Sequence, residues 1–108
     1  MKRYMMIETR DPCDVRDVEW MAELAANLQR GGAAATVMLV ENGVFAARGG
    51  ASSAVIKTLA DAGCEVLADR YALRERGIRD ADLAKGVKAA DLDAVVDALE
   101  AGVSVMWR

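Results

Sequence analysis

Hydrophobic positions follow two rhythms in this chain, and the two alternate. Short, mostly apolar runs occupy residues 3–9, 34–41, 64–68 and 103–107. Each is too short for a stable helix and reads as a strand, and 34–41 is continuous enough in Val, Met and Leu to be buried on both faces. Between the runs, apolar residues recur every three or four positions. Val15, Val18, Met21, Leu24, Ala25 and Leu28 form one such series, and Ala54, Val55, Ile56, Leu59 and Ala60 a second. Leu92, Val95, Val96 and Leu99 share one face of a third, over residues 91–101. This spacing predicts helices.

Punctuation sets the limits of these elements. Asp14 stands where a helix N-cap belongs, and Gly31-Gly32 closes the first helix because glycine enters left-handed backbone at low cost. Asn42-Gly43 ends the second strand in a tight turn, residues 44–50 read as a loop, and the helix at 51–62 stops at Gly63. A helical turn over residues 71–76 is stopped by Gly77, and a short helix after Asp80 leads into an edge strand around Val87. Strands alternating with helices in this way predict an α/β three-layer sandwich. Its sheet is mostly parallel and about five-stranded, flanked by helices and joined by right-handed crossovers. With 108 residues, 54% of them hydrophobic, the chain reads as a single domain over residues 1–108.

Charge and composition remove several function classes. A net charge of −3 argues against a nucleic-acid partner, since phosphate binding draws on clustered Lys and Arg; Arg70, Arg74, Arg76 and Arg79 are the one local exception. No run approaches a membrane span. The first apolar run is too short for a signal-peptide core, and two cysteines in so small a chain fit a reducing compartment, so a cytoplasmic protein is expected. There is no histidine. Imidazole general-base catalysis is therefore excluded, and two cysteines alone do not complete a zinc shell, so neither metal nor cofactor is expected.

The remaining chemistry lies where strands end. In open α/β sheets, ligands bind outside the carboxyl ends of the strands. Cys13, in Arg10-Asp-Pro-Cys-Asp14, follows the first strand and precedes the first helix. Helix amides and dipole favour a thiolate there, while Asp11 and Asp14 oppose it and Arg10 offsets them in part. Cys64 opens a buried strand and reads as core packing. Asp69, Arg70 and Tyr71 at the end of the third strand present a carboxylate, a guanidinium and a phenol for a small polar ligand; the other reading is that Asp69 caps the following turn. Asn42 and Gly43 form a turn that brings backbone close to a neighbour or ligand. Arg48-Gly49-Gly50 is a weak anion-loop signal without phosphate-loop spacing. Met5 and Met6 read as core filling, Trp20 and Trp107 as contacts between subunits.

Three stretches together resemble the DsrE/DsrF family, which includes the Tus sulfur-relay subunits: residues 37–44 ending in Asn-Gly-Val, Ala62-Gly-Cys-Glu-Val-Leu-Ala68, and Leu73-Arg-Glu-Arg-Gly-Ile78. The resemblance spans nearly the whole chain and implies an intracellular sulfur-metabolism protein, a persulfide carrier or sulfurtransferase subunit, assembled as a homotrimer or hexamer. It implies that the Asn42 loop flanks an active-site crevice; should the chain instead be a scaffold that docks a sulfur-carrier protein, Arg74 and Arg76 are the expected contact. It also implies a cysteine before the Arg-Gly-hydrophobic box, where this chain has Asp69. A carboxylate cannot hold a persulfide, which leaves Cys13 as the expected nucleophile and two alternatives: a non-catalytic oligomeric scaffold, or a small-ligand binding module built on Asn42 and residues 69–71.

Overall fold

The structure, a computed structural model, describes residues 1–50 and 54–108. In chain order it comprises β1 (Arg3–Glu8), α1 (Asp17–Arg30), β2 (Ala34–Leu39), a 3-10 helix (Glu41–Ala47), α2 (Ala54–Ala62), β3 (Glu65–Asp69), α3 (Arg70–Glu75), a single 3-10 turn (Asp80–Asp82), β4 (Val87–Ala90), α4 (Asp93–Glu100) and β5 (Ser104–Trp107). The strands form one sheet in the order β4-β3-β2-β1-β5. Every pairing in it is parallel, with Met6 opposite Val37, Met38 opposite Leu67, Ala68 opposite Ala89 and Ile7 opposite Trp107. This is the α/β sandwich that the alternating rhythms predict, and all carboxyl ends of the strands share one rim. The order reverses between β1 and β5, which makes their carboxyl ends the topological switch point.

Side-chain alternation divides the core. From β1, Met6 enters a large cluster with Val18, Met21, Val37, Ile56, Leu59 and Val66, on the face that α1 and α2 cover. Met5 and Ile7 point the other way, into a smaller cluster with Met38, Val40 and Ala98 of α4. Strand residues such as Val37, Met38 and Leu39 are fully buried on both faces because each face has its own helical layer.

Several boundaries differ from expectation. The first helix begins at Asp17, not Val15, and its cap position is Arg16, which makes no side-chain capping bond. Asp14 instead closes a turn, its N–H donating to the Asp11 carbonyl at 3.0 Å. The stretch read as a loop from residue 44 is the 3-10 helix Glu41–Ala47. The left-handed residue in that region is Glu41, φ 49°, not Asn42 or Gly43. Residues 51–53, expected to open the second helix, lie outside the described residues.

Candidate functional site

Three loops leave the carboxyl rim, after β1, β2 and β3, and each carries residues singled out from the sequence. In the first, the Asp11 carboxylate accepts the backbone N–H of Cys13 at 3.0 Å, and its carbonyl accepts the N–H groups of Asp14 and Val15. This Asx-type turn holds Cys13 outward, exposed to solvent. Cys13 and Pro12 form one wall of a cavity of about 270 Å3 that runs between α1 and α2. The other described walls are Glu19, Ala22 and Glu23 of α1 and Ala54, Val55 and Thr58 of α2. Glu19, Ala22 and Glu23 fall at i, i+3 and i+4, one helical stripe. That stripe was readable; its convergence with Thr58 depends on how α1 packs on α2.

Beneath this loop lies a feature the sequence does not announce. Glu8, the last residue of β1, is 1% exposed. One carboxylate oxygen accepts the Arg10 N–H at 3.1 Å; the other has no hydrogen-bond partner among the described residues, and the Arg108 guanidinium stands 3.9 Å away. Arg108 also reaches Asp17 at 3.8 Å and lies 4.9 Å from the centre of the Trp20 ring, while Arg10 approaches Asp17 at 3.7 Å. A buried carboxylate is tolerated when opposite charge compensates it. Glu8, Arg10, Arg108 and Asp17 together join the loop after β1, the start of α1 and the end of β5, at the switch point.

The second loop is anchored to β1 by close backbone approach. A Cβ on Gly43 would lie 2.2 Å from the Glu8 carbonyl oxygen, so only glycine fits. The expected close approach is therefore to a neighbouring strand. Asn42 accepts two bonds on its side-chain oxygen, from Arg76 Nε at 3.2 Å and Nη2 at 2.9 Å. Arg76 also bonds the Ala72 carbonyl and, with Arg48, lies over the Phe45 ring at 5.7 and 5.0 Å. These contacts lock α3 to the 3-10 helix.

In the third loop, Asp69 is buried and its carboxylate accepts the Ala72 N–H at 3.1 Å, making it the N-cap of α3. Arg70 turns away to Asp91 at 3.2 Å, and Tyr71 is exposed. The three residues do not converge on one ligand. The capping reading describes Asp69 in this structure.

Cys13, Asn42 and Asp69 thus share the carboxyl rim without sharing a pocket: the described walls of the Cys13 cavity include neither Asn42 nor Asp69. Arg70 and Arg74 line a different cavity, with Arg79, behind α3. Cys64 is buried, its thiol directed at the Ala25 carbonyl at 3.6 Å, and burial pushes its pKa up, partly offset by Arg30. That environment suits a packed thiol rather than a reactive one. Among the described residues, no group of three His, Cys, Asp or Glu side chains is placed to hold a metal, and no helix is long and apolar enough to cross a membrane.

Comparison with known proteins gives the fold. The chain superimposes on the ychN protein of E. coli with a TM-score of 0.87 at 16% identity, over the full length of both. It matches MTH1491 of Methanobacterium thermoautotrophicum at 0.81 and 19%, again over both full lengths. It matches BT1422 of Bacteroides thetaiotaomicron at 0.82 and 16%, covering 99% of this chain and 95% of the other. The last two are described as proteins of unknown function. No family model and no curated protein matches the chain. Identities this low establish a shared architecture and leave activity to the chemistry of the site.

Proposed function

We propose that this chain is a cytoplasmic, oligomeric protein of sulfur metabolism, DsrE/DsrF-like in type, in which Cys13 accepts sulfane sulfur. The observation that carries the reading is the outward thiol of Cys13 on the wall of a cavity beside the first helix. In the step, the Cys13 thiolate attacks the terminal sulfur of a donor persulfide. A new S–S bond forms at Cys13 as the donor's S–S bond breaks, and the donor leaves as a thiolate. The cavity shapes access to that thiol, and Glu19 and Glu23 place negative charge on its wall. Like-charge repulsion disfavours a small free anion there and favours a donor cysteine presented by a protein with a basic collar.

Incubation with the persulfide of a cysteine in a basic donor peptide, followed by intact-mass measurement, tests the assignment. The wild type and Cys64→Ser gain one sulfur atom, and Cys13→Ser gains none. Full uptake by Cys13→Ser overturns it. A second reading, a non-catalytic scaffold of the same fold, is favoured by one observation: Asp69 stands at the third-strand position and its carboxylate is committed to capping α3. Absence of sulfur uptake in the wild type supports that reading instead.

A further inference from the structure

Helix α4 carries more apolar surface than the sheet covers. Val95 and Ala98 pack against β1, β2 and β5, whereas Leu92, Val96 and Leu99 are 51%, 51% and 58% exposed. The latter repeat at i, i+4 and i+7, a continuous outward stripe. One position further round the helix, Asp93, Asp97 and Glu100 make a parallel acidic stripe. Residues 89–107 contain four acids and no base.

A complementary surface lies across the sheet. Helix α3 packs through Ala72 and Leu73 into the cluster on the α1 and α2 side, and behind it is a cavity of about 340 Å3. Leu73 and Ile78 give this cavity an apolar floor, and Arg70, Arg74 and Arg79 stand on its rim with Asp80 as the single acid among its described walls. Residues 70–79 contain four arginines and one glutamate in a chain whose net charge is −3. Arg70 is paired with Asp91 and Arg79 with Asp82, but the Arg74 guanidinium has no partner among the described residues. Tyr71, 65% exposed, extends the surface with an aromatic ring.

We propose that a second copy of this chain seats its Leu92, Val96 and Leu99 stripe against the arginine-rimmed cavity of α3, with Asp93 and Asp97 facing Arg74. The inference deepens the oligomeric part of the function proposed above by naming the surfaces and their symmetry. Charge decides between arrangements. A two-fold contact of α4 on α4 sets acidic stripe against acidic stripe, which like-charge repulsion disfavours. Contact of α4 with α3 joins opposite charges and puts apolar side chains over an apolar floor. Because the two surfaces lie on opposite faces of one molecule, the contact is heterologous: each copy keeps one unfilled surface until a ring closes or a filament grows. Assembly therefore cannot saturate at a dimer.

Light scattering across a concentration series, with far-UV circular dichroism as a folding control, tests the proposal. The wild type is expected to be a trimer or larger, loosening as salt rises. Arg74→Glu and Asp97→Lys are each expected to shift it to monomer with unchanged dichroism, since neither side chain has a polar partner in the described structure. The double variant Arg74→Glu/Asp97→Lys restores assembly, because every contact then joins two reversed charges. A wild type that is monomeric or stops at a dimer overturns the proposal, as do single variants that assemble normally or a double variant that stays apart. Sulfur uptake by monomeric Arg74→Glu, read by intact mass, reports separately on Cys13.

Discussion

The two faces of the sheet are built to different ends. On one, α1 and α2 pack side by side and bury Val18, Met21, Ile56 and Leu59 completely or nearly so. On the other, α4 is the one helix among the described residues, and three of its apolar residues face solvent. A closed face holds the fold together; a face with a surplus of apolar surface is available to a neighbour. The accessible thiol lies at the margin of the closed face, where rigid helices fix its cavity.

Substitution at matched leucines gives the largest expected contrast. Leu59→Ala removes a fully buried side chain from the closed face and is expected to destabilise the protein by roughly 2–5 kcal/mol. Leu99→Ala on the open face is expected to change monomer stability by no more than about 0.5 kcal/mol. Urea denaturation of dilute protein compares the two. Equal losses would break the distinction between the faces.

Backbone contact at the rim comes next. Gly43→Ala sets a methyl group against the Glu8 carbonyl and is expected to cost roughly 1–3 kcal/mol, read in the same urea titration. Loss of the cap in Asp69→Ala is expected to cost about 1 kcal/mol while leaving sulfur uptake by Cys13 intact, since the two residues serve different loops. A collapse of uptake with retained folding would instead join the third-strand loop to the thiol site.

The smallest effect is on pH dependence. Burial raises the Cys64 thiol pKa in the folded state, so on going alkaline the unfolded chain releases that proton first. The associated stability is complete below the ordinary thiol value of 9.0 and is lost as pH rises through the folded value. Melting temperatures between pH 8 and 11 are expected to fall less steeply in Cys64→Ala than in the wild type.

The strands were legible because residues buried on both sides leave uninterrupted apolar runs, as at Val37, Met38 and Leu39. Less could be read where one pattern serves two structures. Leu92, Val95, Val96 and Leu99 form a single broad helical face in sequence, yet packing turns Val95 inward and leaves the other three outside. Only the sheet decides which edge of such a face is covered. Asp69 at a strand end looks the same whether it binds a ligand or caps a helix; the Ala72 N–H settles its use in this structure. Glu8 falls unmarked within the first apolar run, and its burial beside Arg108, at the far end of the sequence, is a pairing no local pattern encodes. Cys13 lies after the first strand, but α1 begins only at Asp17, so the thiol does not sit directly before a helix N-terminus as expected, and its cavity depends on α2 as well.

Hydrogen exchange followed by mass spectrometry, at low and high protein concentration, tests the division between the faces most directly. Peptides from α3 and α4 are expected to gain protection as concentration rises, while those from α1 and α2 keep the same strong protection throughout. Concentration-dependent protection confined to α1 and α2, or none anywhere, would contradict the account.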